Sequence, residues 1–340
     1  MNDAAAIAHR RVRSEFDARP LWLLVGLMVA ALWAVGSLST WATLTVAGLA
    51  MGMIVFIIAS GLTLVFGLMD VLNFGHGVFI ALGAFVATTV MASPMGLMAW
   101  ASAEHLGWNL AAVGVAMLAA MLAAAALGLL FERFIVRPVY GQHLKQILIT
   151  MGGMIVGEEL IKVVWGPLQI PLPLPPQLRG ALVWGDAALE KYRLLAVVVG
   201  LVVLGALLWV LNRTKVGLLI RAGVQDREMV EALGYRISRL FVGVFVAGSA
   251  LAGLGGVLWG LYQQSVVPQI GGQVNVLIFI VIIMGGLGST WGSLVGAVLV
   301  GLMANYTGFL VPKLALFSNI ALMVAVLLWR PQGLYPVAQR

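Results

Sequence analysis

Long apolar runs separated by short polar clusters set the pattern of this chain. A membrane-crossing helix needs about 20 apolar residues. Runs near that length fall at Leu21–Leu38, Thr43–Met69, Val78–Trp100, Leu110–Phe131, Ile147–Trp165, Leu194–Leu211, Leu240–Tyr262, Val274–Leu287, Trp291–Leu310 and Lys313–Trp329. The pattern predicts an all-α integral membrane protein, a polytopic bundle of about 8–10 transmembrane helices. Two stretches depart from plain spans. Gly61–Ala87 (GLTLVFGLMDVLNFGHGVFIALGAFVA) holds Asp70, Asn73 and His76 among glycines at its centre. Ile278–Leu302 joins two apolar arms through GGLGSTWG, so that Val274–Leu287 and Trp291–Leu310 form either one kinked helix or two half-helices.

Non-helical backbone at membrane depth is tolerated only where protein buries it or where it lines a water-filled cavity. One interrupted segment in each half of a chain points to an internal repeat with a transport path at its interface. On that reading, the path or gate residues are Asn73, Gly75, His76, Gly77, Asn275, Gly285, Gly286 and Gly288. The competing explanation is a Gly-rich helix crossing, since Gly48xxxGly52, Gly256xxxGly260 and Gly292xxxGly296 already mark close packing. A lone His is more often a hydrogen-bonded packing residue, which competes with a gating role for His76, and Asp70 reads also as an interfacial or capping group.

Composition agrees with a membrane protein: 62% of the 340 residues are hydrophobic and only 10% are charged, against about 25% charged in soluble domains. Cysteine is absent, so disulfides, Cys-zinc sites and thiol nucleophiles are excluded. The four histidines are far apart, no HExxH occurs, and no metal site or catalytic residue is expected. The net charge of +7 would suggest nucleic acid in a soluble protein. Here no nucleic-acid partner is expected, because 15 of the 20 cations fall in four segments that the positive-inside rule assigns to the cytoplasm. These are the N-terminus through Arg19, Arg133–Lys145, Arg213–Arg239, and Arg330 with Arg340. Even span counts between them require Val274–Leu310 to go in and come back, which favours a broken hairpin. No cleavage site follows the first run, which reads as an uncleaved start-transfer helix.

The organisation expected is therefore a cytoplasmic segment 1–20, one transmembrane domain 21–330 and a cytoplasmic tail 331–340. Two loops stand out. Residues 166–193 carry five prolines, which enforce extended backbone, and Asp186–Tyr192 reads as a short interfacial helix on the outer side. Asn212–Arg239 is long for a link inside a bundle. Within it Arg221–Leu233 reads as a short amphipathic helix, with Ala222, Met229 and Leu233 apolar, Arg227, Glu228 and Glu231 wet, and Gly234 as C-cap. Such a helix suits docking to a soluble partner.

The segment TKVGLLIRAGVQDREMVEALGYRISRL resembles the coupling loop of permease subunits in high-affinity branched-chain amino-acid ABC importers of the LivH type. Gly61–Ala87, IVIIMGGLGSTWGSLVGA and the closing WRPQGL are similar to three further stretches of that family, in the same order. The resemblance implies a non-enzymatic permease that forms half of a translocation path in the bacterial inner membrane, both termini cytoplasmic. It implies a second, LivM-like permease, two cytoplasmic ATPases and a periplasmic binding protein as partners, with lipid around the bundle. The ATPases would dock through Arg221, Asp226, Arg227, Glu228, Glu231, Ala232 and Gly234. No cofactor would be bound by this chain: ATP would be hydrolysed by partner subunits, and no GxxxxGK[ST] P-loop is present. Family substrates include branched-chain and other amino acids, urea and small amides. Glu158, Glu159 and Lys162 inside the fifth span depart from the family's neutral pattern and read either as an intramembrane ion pair or as path residues. A stand-alone ion-coupled transporter, using Asp70 or the Glu158–Glu159 pair, is the alternative class; an intramembrane enzyme lacks any nucleophile–base pair.

Overall fold

The computed structural model describes residues 17–92, 97–225 and 227–336. The expected terminal segments 1–20 and 331–340 therefore lie partly outside the described residues. The chain opens with α1 (Arg19–Val35), which carries Pro20 in its first turn, where a missing backbone N–H costs nothing. Helix α2 (Leu38–Met69) is 32 residues long and starts at Ser37, whose hydroxyl accepts the Thr40 N–H. After it come α3 (His76–Met91), the short α4 (Leu97–Ser102) and α5 (Leu106–Phe131), which runs on through a π turn to Val139. Helix α6 (His143–Trp165) leads to β1 (Ile170–Pro171) and to a hairpin of β2 (Ala181–Trp184) and β3 (Ala187–Glu190). Helix α7 (Lys191–Arg213) precedes α8 (Lys215–Gln225) and α9 (Arg227–Ala232). The last part is α10 (Ile237–Gln263), β4 (Ser265–Val266), α11 (Ile270–Gly285), α12 (Thr290–Leu310) and α13 (Ala315–Trp329). Five of these helices are long and apolar enough to cross a membrane, and α1, α3, α11 and most of α13 are shorter apolar helices.

Helix α2 is the axis of the bundle. Its residues 52–63 are all buried, enclosed by α10, α12 and α7. Buried hydroxyl pairs tie α2 antiparallel to α12: Thr45 to Tyr306 at 2.7 Å near one end and Thr63 to Ser293 at 2.6 Å near the other. The two ends of the bundle differ. A basic face carries Arg19, Arg137, Lys145, α8, α9 and Arg330; a loop face carries β1, β4 and the β2–β3 hairpin.

Two expectations are corrected here. Asp186–Tyr192 is not an interfacial helix: Ala187–Glu190 pairs with Ala181–Trp184 through a two-residue turn in which Gly185 takes φ +59. A Gly-led two-residue turn between apolar runs is a hairpin signal, and Gly185–Asp186 supplies it here. The run Val78–Trp100 is not one span either, because α3 ends at Met91.

The parity requirement for a hairpin at Val274–Leu310 agrees with the structure. Helices α11 and α12 fold back on each other so closely that a Cβ at Gly292 would lie 2.0 Å from the Gly285 carbonyl oxygen. The closing WRPQGL motif clasps this turn: the Leu334 N–H donates to the Met284 carbonyl at 2.9 Å and the Tyr335 N–H to the Gly285 carbonyl at 3.0 Å. Arg330 in turn bonds the Asp17 carboxylate, and the Tyr335 hydroxyl donates to the Asp17 carbonyl. The Arg330 guanidinium, helped by the Arg19 N–H, holds the Asp17 carboxyl below the usual carboxylate range. A depressed folded-state pKa adds stability above the unfolded value and loses it as pH falls through the lowered one. An Asp17→Asn variant should therefore show a smaller drop in thermal midpoint between pH 7 and pH 3 than the parent chain.

Candidate functional site at the junction of two half-helices

The site is built by two helices that start inside the bundle. After α2 ends, Asp70 takes a left-handed conformation with φ +51, and residues 71–75 double back along α2. They climb until His76 Nε2 reaches the Ile58 carbonyl at 3.2 Å. Ile58 precedes Met69 by eleven positions, about 16 Å at 1.5 Å per residue. Helix α3 thus begins deep in the protein. It leaves toward the loop face, where Thr89 Oγ1 accepts from Trp165 Nε1 at 2.8 Å.

The second half mirrors this. Gln264, at φ +54, turns the chain back after α10, β4 pairs with β1, and α11 begins at Ile270. Its Gly271 packs on Gly77, with a Cβ on Gly271 placed only 2.1 Å from the Gly77 carbonyl oxygen. Helix α11 then leaves toward the basic face and the clasp. Both α3 and α11 have 16 residues, about 24 Å at 1.5 Å per residue, so each falls short of a hydrocarbon core about 30 Å thick. Their N-termini, the electropositive ends of the helix dipoles, meet side by side.

Polar groups join them. Asn275 Nδ2 donates to the Phe74 carbonyl at 2.9 Å, and the Phe74 N–H donates to Thr150 Oγ1 at 3.1 Å. Phe74 stacks on Phe279 with centroids 4.5 Å apart. Asn73 is 1% exposed, yet neither of its amide atoms has a partner, and Asn275 Oδ1 also has none. Unpaired buried polar atoms are uncommon and costly, so this junction combines unused donors and acceptors with two helix N-termini.

The structure brings together Asn73, Gly75, His76, Gly77 and Asn275. It does not bring Gly285, Gly286 and Gly288 to them: these lie in the α11–α12 turn at the basic face, Gly286 at φ +103 and Gly288 at φ +81. The expected second interruption in Ile278–Leu302 is thus a turn at the basic face under the closing clasp, and the counterpart of 71–75 is 264–269. A Gly-rich run signals positive φ or close backbone approach without saying at what depth. His76 is buried, with its Nε2 against the Ile58 carbonyl of α2 and its ring edge-on to Phe79. Asp70 lies at the basic face, 3.6 Å from His143 Nε2. Thr150 belongs to no motif in the sequence; its one signal is the four-residue spacing from Gln146 and, two such steps on, to Glu158. No group of three His, Asp or Glu that could hold a metal occurs among the described residues.

At the basic face, α8 and α9 form the Asn212–Arg239 loop. Val230 is buried and anchors it, while Met229, Leu233 and Tyr235 are exposed. Met229 and Leu233 thus present an apolar surface outward. Glu231 and Ala232 are exposed beside them, and Gly234 at φ +86 ends the turn. Arg221 bonds the Leu211 carbonyl and so caps the end of α7. Arg227 and Glu228 lie in α9, and Asp226 lies outside the described residues.

Residues 44–327 match the family described as branched-chain amino acid transport system / permease component. The chain belongs to this family. It is 28% identical over 294 residues to the high-affinity branched-chain amino acid transport system permease protein LivH of Escherichia coli (strain K12), covering 84% of this chain and 92% of that one. It is 30% identical over 303 residues to the corresponding protein BraD of Pseudomonas aeruginosa, covering 84% and 93%. The permease protein LivM of Escherichia coli is more distant, at 27% over 316 residues and 69% of its length. No solved structure matches the chain. The family is a permease family, and α3, α11 and the α8–α9 pair all fall inside the matched range.

Proposed function

We propose that this chain is the permease subunit of an ATP-driven importer for branched-chain or related amino acids. It works beside a second, LivM-like permease, receives substrate from a binding protein and engages two ATPases through α8 and α9. It binds no nucleotide; the ATP chemistry belongs to its partners. The bacterial inner membrane is its site, with the basic face and both termini in the cytoplasm. One observation carries this reading: the family match, residues 44–327, takes in both half-helices and the α8–α9 loop. Paired half-helices with facing N-termini are a transporter device, because they hold polar backbone at membrane depth beside a path. The exposed apolar residues Met229 and Leu233 on a short helix suit a groove on a soluble subunit.

Reconstitution tests this. Liposomes holding both permeases and both ATPases, given the binding protein and internal ATP, should accumulate labelled leucine, and this chain alone should hydrolyse no ATP. Gradient-driven uptake by the chain alone, without ATP, would refute the proposal.

A further inference from the structure

The basic-to-loop direction of α6 carries a polar stripe that the junction alone does not explain. Gln146, Thr150, Glu158 and Lys162 recur at four-residue steps, with Met154 between them, so each neighbours the next in a row that winds slowly round α6. Its middle members, Thr150, Met154 and Glu158, run along the half-helix junction. Gln146 and Thr150 are fully buried. Thr150 Oγ1 holds the Phe74 N–H, and a Cβ on Gly272 would lie 2.9 Å from Met154 Cε. Glu158 lines a cavity of about 10 Å³ with Gly77, Gly271, Gly272 and Pro268, room for one water at most. Lys162 Nζ lies 3.1 Å from Glu158 and 2.7 Å from Glu159. The group therefore carries one carboxylate more than it has cations.

Four buried side-chain polar atoms without a hydrogen-bond partner belong here: Asn73 Nδ2 and Oδ1, Gln146 Oε1 and Asn275 Oδ1. Ionisable side chains at membrane depth are rare and face a polar cavity or a partner. Helix packing does not require a charged triplet beside two helix N-termini, nor carboxamides left empty.

We propose that this stripe and the junction form a waypoint for the zwitterionic head of an α-amino acid. The inference rests on the permease reading above. The incoming ammonium takes Glu158 while the incoming carboxylate takes Lys162, so the pairs exchange partners and no charge is stranded. Lys162 keeps Glu159 throughout. The head then moves along α6 to Asn73, Thr150 and Asn275, where the carboxamides supply donors for the carboxylate and acceptors for the ammonium, and the two helix N-termini favour the carboxylate. With Asn73 1% exposed, the junction is closed in this conformation.

The test uses the reconstituted complex with its binding protein, reading leucine taken up per ATP hydrolysed, and the thermal midpoint of the solubilised complex. Two variants are compared with the parent: Asn73→Leu, and Glu158→Gln with Lys162→Gln together. Both should lower uptake per ATP at least tenfold. Asn73→Leu should keep or raise the thermal midpoint, because it removes a buried carboxamide that has no partner. Unchanged uptake per ATP in either variant overturns the waypoint. So does a loss of uptake in Asn73→Leu that comes with a lowered midpoint, since the carboxamide would then be structural. A parent complex with no ATP-driven uptake fails differently: it overturns the permease reading, and the waypoint with it.

Discussion

Replacing Gly271 by valine should abolish transport and unsettle the bundle. Even the first carbon of the new side chain would meet the Gly77 carbonyl oxygen at 2.1 Å and its carbonyl carbon at 2.6 Å. Both are backbone atoms at the start of α3, and no rotamer change can move them. Overpacking a close-packed site costs about 1–3 kcal/mol, occasionally more, and the upper end applies here because relief requires the two half-helices to part. Parting them would strain the Asn275–Phe74 and Thr150–Phe74 hydrogen bonds, which also hold the junction. Gly114 on α5 supplies the control, since a Cβ there meets nothing within 4 Å. A Gly114→Ala chain should match the parent in thermal midpoint and uptake, while Gly271→Val should lose both. Equal midpoints for Gly271→Val and Gly114→Ala would show that the approach of α3 to α11 is not tight in the working protein.

Glu231→Arg should lower uptake at least tenfold while leaving the chain folded in the membrane. Residue 231 is exposed at the end of α9, in the same short segment as the exposed Met229 and Leu233 and the buried Val230. Exposed positions tolerate substitution within about 0.5 kcal/mol of stability. Reversing a charge in a docking surface disturbs its electrostatic match to the partner, so, on the proposed docking of ATPases at α9, the defect should appear in ATPase binding. Co-purification of the ATPases with the variant, measured against the parent, reads this directly. If assembly and uptake both stay intact, α9 is not the coupling element.

Much of the fold was legible in the sequence, and the residues show why. Apolar length marked the helices, because a bilayer sets a minimum span. Charge parity required Val274–Leu310 to turn back, and the Gly285–Gly292 approach is that turn. The break around Asn73–Gly77 was visible because polar residues and glycines interrupted an apolar run. Its partner at 264–269 was not, since Gln263, Gln264, Ser265 and Pro268 read as an ordinary loop between spans. The GGLGS turn drew the prediction instead, because composition alone does not report depth.

The sequence by itself determined the class of protein, most of the apolar helices, the basic face and the family to which the chain belongs. Each of these is a local property: hydropathy, charge placement and motif are read within a few turns of chain. Only the tertiary structure decided that His76 lies against Ile58, that Gly77 lies against Gly271 and that the polar stripe of α6 runs along their junction. Those contacts join residues up to about two hundred positions apart, and their depth depends on how far each chain segment re-enters the bundle. Re-entry is set by side chains and backbone on several helices at once, and no single stretch of sequence carries it.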